Sequence, residues 1–190
     1  NRIENLIEII QKSGEIIIGN NILKGNIAEI EPYFNYSSKF ILAQIKFVSN
    51  SQSKEEKFNW TDNGIYEIIK SVDSVTGEEK IITRKVNPVK NVIIKLNGKF
   101  RESAKEFEYY NLVQSYKSKS GTLSENMLLY SFALDIPSLQ PSGSVNMSKI
   151  NNFIISLELN EYIVSEINKG TIIGKVKIYS YSYNILRIMS

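Results

Sequence analysis

The sequence contains no cysteine and no histidine. The first absence excludes a disulfide framework and thiol chemistry. The second excludes more: a Ser-His-Asp triad, a Cys-His dyad and any imidazole metal site cannot be built from this chain. Proline and glycine are scarce, four and ten in 190 residues, so the chain is not of low complexity. Long apolar runs are missing as well, and no stretch reads as a transmembrane segment. Neither sign of charge dominates. With 23 basic and 20 acidic residues the net charge is +3, too weak and too dispersed to imply direct contact with nucleic acid. No signal peptide is visible, and an opening on Asn1 rather than Met is what an excerpt or a processed product would show.

What is present is apolar and aromatic. The chain is 42% hydrophobic, with eleven Tyr, eight Phe and many Ile and Val, a composition that favours sheet over helix. The length suits one sizeable core or two small ones. The paired carboxylates Glu55-Glu56 and Glu78-Glu79 lie in polar surroundings that give neither member a raised pKa, so general acid catalysis has no motive there. Asp62-Asn63-Gly64 is too short for a calcium loop, and no glycine-rich phosphate loop precedes a helix. The expectation is therefore no catalytic residue, no cofactor and no metal. Three glycosylation triplets, at Asn35, Asn59 and Asn146, matter only in a secreted protein.

Hydropathy along the chain predicts the elements. Arg2 to Ser13 places Ile3, Leu6, Ile7 and Ile10 at helical spacing, with Gly14 as a stop, so a short amphipathic helix is expected. Ile16 to Ile18 and the stretch around Ile27 and Ile30 read as two short strands about a Gly19-Asn20-Asn21 turn. Phe40 to Val48 alternates as a strand with one buried face. Beyond the polar run Ser49 to Lys57 and the Asp62-Asn63-Gly64 turn, Ile65 to Lys70 fits helix or strand. Thr76-Gly77-Glu78-Glu79 reads as a turn before Lys80 to Lys85. Val92, Ile94 and Leu96 form a strand closed by Asn97-Gly98, and Ala104 to Tyr116 has a helical pattern. Leu128 to Leu134 and Phe153 to Leu159 are strands. In Thr171 to Ile188, Val176 and Ile178 set one phase and Tyr179, Tyr181 and Tyr183 the other, which predicts a bulge or a second contact surface.

The connection Leu139 to Ile150 organises the rest. Pro141 fixes φ, Gly143 permits φ > 0, and Asn146 and Ser148 can bond to nearby backbone, so a rigid irregular link between two strands is expected. Ser131-Phe132-Ala133-Leu134, then Gln140-Pro141-Ser142-Gly143, then Asn146-Met147-Ser148-Lys149 resembles the signature of the major capsid proteins of nucleocytoplasmic large DNA viruses. Lys149 stands where Arg is more usual. Leu96-Asn97-Gly98, Tyr110-Asn111-Leu112-Val113-Gln114-Ser115-Tyr116 and Tyr183 to Ser190 resemble further pieces of that family in the same order.

The resemblance implies an all-β, antiparallel, eight-stranded jelly-roll sandwich with long inter-strand loops. Residues 1–14 would be a linker helix and 15–190 the second jelly roll of a tandem pair. It implies a structural protein rather than an enzyme: a homotrimer forming pseudo-hexagonal capsomers, with neighbouring capsomers and minor capsid proteins as partners. Its place would be the virion, assembled in the host cytoplasm. Gln140, Pro141, Ser142, Gly143, Asn146 and Ser148 are the structural motif, and Tyr179, Tyr181 and Tyr183 the candidate interface. The alternatives are a single jelly-roll penton or scaffold protein, and a carbohydrate-binding sandwich using the Tyr row. A cupin site would need the missing histidines.

Overall fold

The computed structural model describes residues 2–49, 65–72 and 79–189. The Glu55-Glu56 pair, the Asn59 triplet, the Asp62-Asn63-Gly64 turn and most of the Thr76-Gly77-Glu78-Glu79 turn lie outside the described residues. In chain order the strands are β1 (Arg2–Lys12), β2 (Ile16–Ile18), β3 (Leu23–Lys24), β4 (Ile27–Ile30), β5 (Ser37–Ser49), β6 (Tyr66–Val72) and β7 (Glu79–Lys85). They continue as β8 (Val89–Leu96), β9 (Lys99–Phe100), β10 (Lys105–Glu106), β11 (Met127–Ser131), β12 (Val145–Asn146), β13 (Phe153–Leu159) and β14 (Ile172–Met189).

β6 and β7 pair only with each other, and the other twelve strands form two sheets. One runs β1-β14-β5-β11, with β2 also on β14 and β12 also on β5; the other runs β10-β8-β13-β4-β3, with β9 on β8. Every pairing is antiparallel. The chain visits the sheets in alternation: β1 and β2 in the first, β4 in the second, β5 in the first, β8 in the second, β11 in the first, β13 in the second, β14 in the first. That interleaving makes a jelly-roll sandwich, in which strands distant in sequence lie side by side. Each sheet has six strands among the described residues, several only two residues long, rather than eight in all.

The core lies between the sheets. Ile41, Ala43, Ile45 and Phe47 of β5, with Val176 and Ile178 of β14, face Val92 and Ile94 of β8 and Phe153, Ile155, Leu157 and Leu159 of β13. All are buried, as the period-two alternation requires. Asn97 and Gly98, at φ 51° and 74°, make the left-handed pair that turns β8 into β9. A helical segment at 109–117 follows β10, and a helix at Glu161–Asn168 buries Ile163 and Ile167 beneath the sandwich end. No described helix is long and apolar enough to cross a membrane.

Two expectations are corrected. The first twelve residues are not a helix. β1 pairs with β14 over its full length, from Arg2↔Met189 to Lys12↔Tyr179. The helical spacing of Ile3, Leu6, Ile7 and Ile10 misleads because the apolar residues divide between the two faces of a strand. Leu6 and Ile10 point outward, while Ile7 and Ile9 are half-buried. The hydrogen bonds demanded by the free side of β14 decide the matter. Second, the strands around Ile17 and Ile27 do not pair with each other. β2 joins β14 and β4 joins β13, so they sit in opposite sheets. Residues 65–72, open to either reading, are strand, and β6 and β7 form a hairpin of their own.

Candidate assembly surface

The outer face of the first sheet carries the features picked out in the sequence. Directly paired residues share a face. Glu8 with Tyr183, Ile10 with Tyr181 and Lys12 with Tyr179 therefore line up along β1 and β14. Across from them on β5 stand Leu42, opposite Tyr179, and Phe40, opposite Tyr181.

At this point β5 is irregular. Phe40 pairs with Tyr181 and Ser38 with Ser182, leaving Lys39 as one extra residue. A bulge of this kind puts two successive side chains on one face. Phe40 stacks on Tyr181 with ring centroids 4.3 Å apart. Lys39 reaches the same side, where its Nζ donates to Glu8 Oε1 at 2.6 Å and lies 5.3 Å from the centre of the Tyr183 ring. Without the extra residue an ammonium would be aimed into the core. Lys39 is 4% exposed. Burial is the largest single influence and would lower its pKa, but the hydrogen bond and charge of Glu8 and the neighbouring Tyr183 hydroxyl together outweigh it, and the net shift is upward. On the inner face Ser180 Oγ donates to Ser38 Oγ at 2.9 Å and lies 2.9 Å from Ser182 Oγ, a buried hydroxyl cluster at the end of the apolar core.

The signature connection packs onto this bulge. Both Phe132 N and Ala133 N donate to Lys39 O, at 3.0 and 3.2 Å. Asp135 N donates to Ser142 Oγ at 3.0 Å, and Ser142 Oγ donates back to Asp135 O at 3.1 Å. Asp135 also holds Lys119 at 2.6 Å, and that hydrogen bond keeps its carboxyl below the usual carboxylate range. Gly143 has φ 152°, and a Cβ built there would sit 2.4 Å from Phe132 O. Asn146 Oδ1 accepts from Ser148 N at 3.1 Å, capping a turn at Met147–Lys149. Ser148 Oγ donates to Asn35 O, and Met147 N to Tyr36 O. Ser142 and Gly143 thus hold the connection against residues 132–135, while Asn146 and Ser148 fasten it to the start of β5 and to the segment before it. Gln140 and Pro141 remain on the surface.

The Tyr row does not act as one unit. Tyr183 is nearly buried beneath Lys39, Tyr181 is half-covered by Phe40, and Tyr179 is half-buried with Lys12 Nζ 5.8 Å from its ring centre. A sugar platform needs open ring faces, and two of the three are occupied. The two phases of β14 are simply its two faces. Ser180 and Ser182 carry the inward phase on past Ile178, and the irregularity belongs to β5. Sequence reasoning did not single out Lys39, or Asn111, whose buried amide donates to Ser124 O at 2.8 Å and Met127 O at 2.7 Å. A cation within an alternating strand was the available signal for Lys39, one that it shares with Lys46. Among the described residues no group of three or more carboxylates is placed to hold a metal.

The family model described as "Large eukaryotic DNA virus major capsid protein" matches residues 1–190. The chain belongs to this family. This capsid chain is 41% identical over 104 residues to the major capsid protein of Chrysochromulina ericina virus, covering 55% of the chain and 17% of that protein. It is 34% identical over 111 residues to the major capsid protein of Paramecium bursaria Chlorella virus 1, covering 51% and 25%. Against the solved PBCV-1 capsid it superposes over its whole length and 50% of that chain, with a TM-score of 0.67 and 25% identity. The Faustovirus major capsid protein shares the fold, with a TM-score of 0.68 at 15% identity over 98% of this chain and 34% of that one. The capsid chain thus spans half, or less, of the relatives it matches. Its family is one of structural shell proteins, not of enzymes.

Proposed function

We propose that this chain is a jelly-roll wall unit of an icosahedral large DNA virus shell. It is the second of a tandem pair within a longer polypeptide, and three such polypeptides form a pseudo-hexagonal capsomer. The observation that carries this reading is the superposition of the entire chain on half of the PBCV-1 capsid chain. Two interleaved sheets give the stiffness a wall requires, and no reaction centre is needed. The outward face formed by Ile10, Phe40, Tyr179 and Tyr181 supplies the side-to-side contact; Ile10 is 57% exposed. Neighbouring capsomers and minor capsid proteins are the further partners, without direct contact to nucleic acid. Assembly takes place in the host cytoplasm, and the product is the virion. Light scattering on the full-length protein at micromolar concentration should give the mass of three chains. A folded, stable monomer under those conditions would refute the capsomer reading.

A further inference from the structure

β5 stops pairing with β14 at Ser37↔Tyr183, but β1 and β14 continue together to Arg2↔Met189. Residues 2–7 and 184–189 therefore project past the sheet as a two-stranded ribbon. It is apolar on both faces. Leu6 and Ile185 pair on one side, and Leu186 and Ile188 lie on the other, all 45–52% exposed. A free two-stranded ribbon is marginal in water, and one with apolar side chains on both faces more so. Between this ribbon and the signature connection runs an open groove of about 630 Å³. Leu6 and Ile185 of the ribbon, Pro141, Ser144 and Asn146 of the connection, and Tyr36 before β5 are among the residues that line it.

We propose that an extended segment of the companion half of the polypeptide fills this groove and covers the ribbon. The proposal rests on the tandem reading above. Three observations favour this occupant. The PBCV-1 capsid chain is twice as long, and any continuation of the chain, at either end, leaves from the ribbon tip where Arg2 meets Met189. The groove opens a few residues from that point, so a tethered segment reaches it at high effective concentration. Its lining suits peptide: amide and hydroxyl groups for a backbone, with Leu6, Ile185 and Pro141 for apolar side chains. A charged ligand finds little there, because Arg187 Nε is already 3.2 Å from Glu4 Oε1.

The absence of cysteine from this chain makes the test direct. Leu6→Cys, Ile185→Cys and Ser144→Cys are made singly, both in the 190-residue chain and in the full-length polypeptide. Ile81→Cys on the β6–β7 hairpin serves as the reference. Maleimide labelling is followed residue by residue by mass spectrometry, across protein concentrations that span trimer formation. The expected result is labelling at least ten-fold slower at the groove positions in the full-length protein, at every concentration, with Ile81→Cys unchanged in dilute solution. Ser144→Cys, on the loop side, gives the same reading if a ribbon variant fails to fold. Equal rates in the two proteins would overturn the proposal. So would protection confined to concentrations at which trimers form, which would assign the groove to a neighbouring copy. A coding sequence with no companion half would also overturn it. Protection in a full-length protein that never trimerises would support the groove assignment while defeating the capsomer reading.

Discussion

At Gly143 an added Cβ meets the carbonyl oxygen of Phe132 at 2.4 Å and Ala133 Cα at 3.3 Å, both backbone atoms that cannot rotate away. The neighbouring loop is itself tied to Lys39 O by two hydrogen bonds, so strain introduced at position 143 passes into the bulge. Gly143→Val should lower stability by ~1–3 kcal/mol, read as a fall in the denaturant midpoint. An unchanged midpoint would mean that the connection is not a lock. Lys39 gives the companion case. Its ammonium is buried while its partner Glu8 is half exposed. Glu8→Ala leaves a buried cation without its carboxylate, whereas Lys39→Met removes the charge and keeps most of the volume. The first should therefore be the costlier substitution, by ~1–3 kcal/mol of measured stability. Equal costs, or the reverse order, would show that Ser138 O and the Tyr183 ring suffice to hold the cation.

Among the elements, β4 and β8 are linked across β13 by Lys95 Nζ to Glu29 Oε1 at 2.8 Å, with Ser156 Oγ at 3.4 Å from the same oxygen. The hydrogen bond from Lys95 leads in holding Glu29 below its usual value of 4.5. A carboxylate depressed in the folded state stabilises above its unfolded pKa, and the contribution is lost as pH falls through the folded value. Partly exposed pairs of this kind contribute roughly 0.2–1 kcal/mol. Glu29→Gln should thus have a lower melting temperature than the parent near neutrality, and the gap should close as pH drops below about 4.5. A gap that stays constant down to pH 3 would contradict the ion pair.

Element type was legible wherever one face is buried and the other wet. The apolar positions of β5, β8 and β13 alternate, and the sequence locates all three strands, although Lys46 and Ser156 on the other face are buried as well. It fails where pairing rather than hydropathy decides. β1 has apolar residues on both faces and reads as a helix until β14 is placed beside it. β2 and β4 look like a hairpin because nothing local says that the chain crosses to the other sheet between them. The inward phase of β14 is concealed at Ser180 and Ser182, whose burial depends on hydroxyl bonding to Ser38. The local constraints of the signature connection were legible, since the positive φ at Gly143 and the bond from Ser148 N to Asn146 Oδ1 are set by neighbouring residues. Its anchor at Lys39 lies some hundred residues away and is set by the bulge.

For the molecule as a whole, one cluster of exposed apolar side chains lies on the terminal strands. Leu6, Ile10, Ile185, Leu186 and Ile188 are each about half exposed, and all belong to β1 or the end of β14. Obligate assemblies bury upward of ~2,000 Å² in total, and in the proposed shell unit it is the part of this surface at Ile10, outside the ribbon, that is free for a neighbouring subunit. Ile10 stands beside Tyr181 on the outward face, away from the core. If the proposed trimer uses this face, Ile10→Asp should shift the full-length protein from trimer toward monomer in light scattering while leaving the denaturant midpoint of the 190-residue chain unchanged within error. A trimer that survives this change would place the subunit contact elsewhere on the domain.

The pairing of Arg2 with Met189 also sets how the domain responds to load. Tension applied through these two residues acts across the β1–β14 ladder, not along it. Hydrogen-bonded pairs are then loaded one after another from a single corner, so the strands peel apart sequentially instead of resisting together in shear. The domain is mechanically soft at that corner, however stiff its sandwich. In a shell under outward pressure, whatever covers the ribbon would bear the force there, and the first sign of rupture would be the parting of β1 from β14.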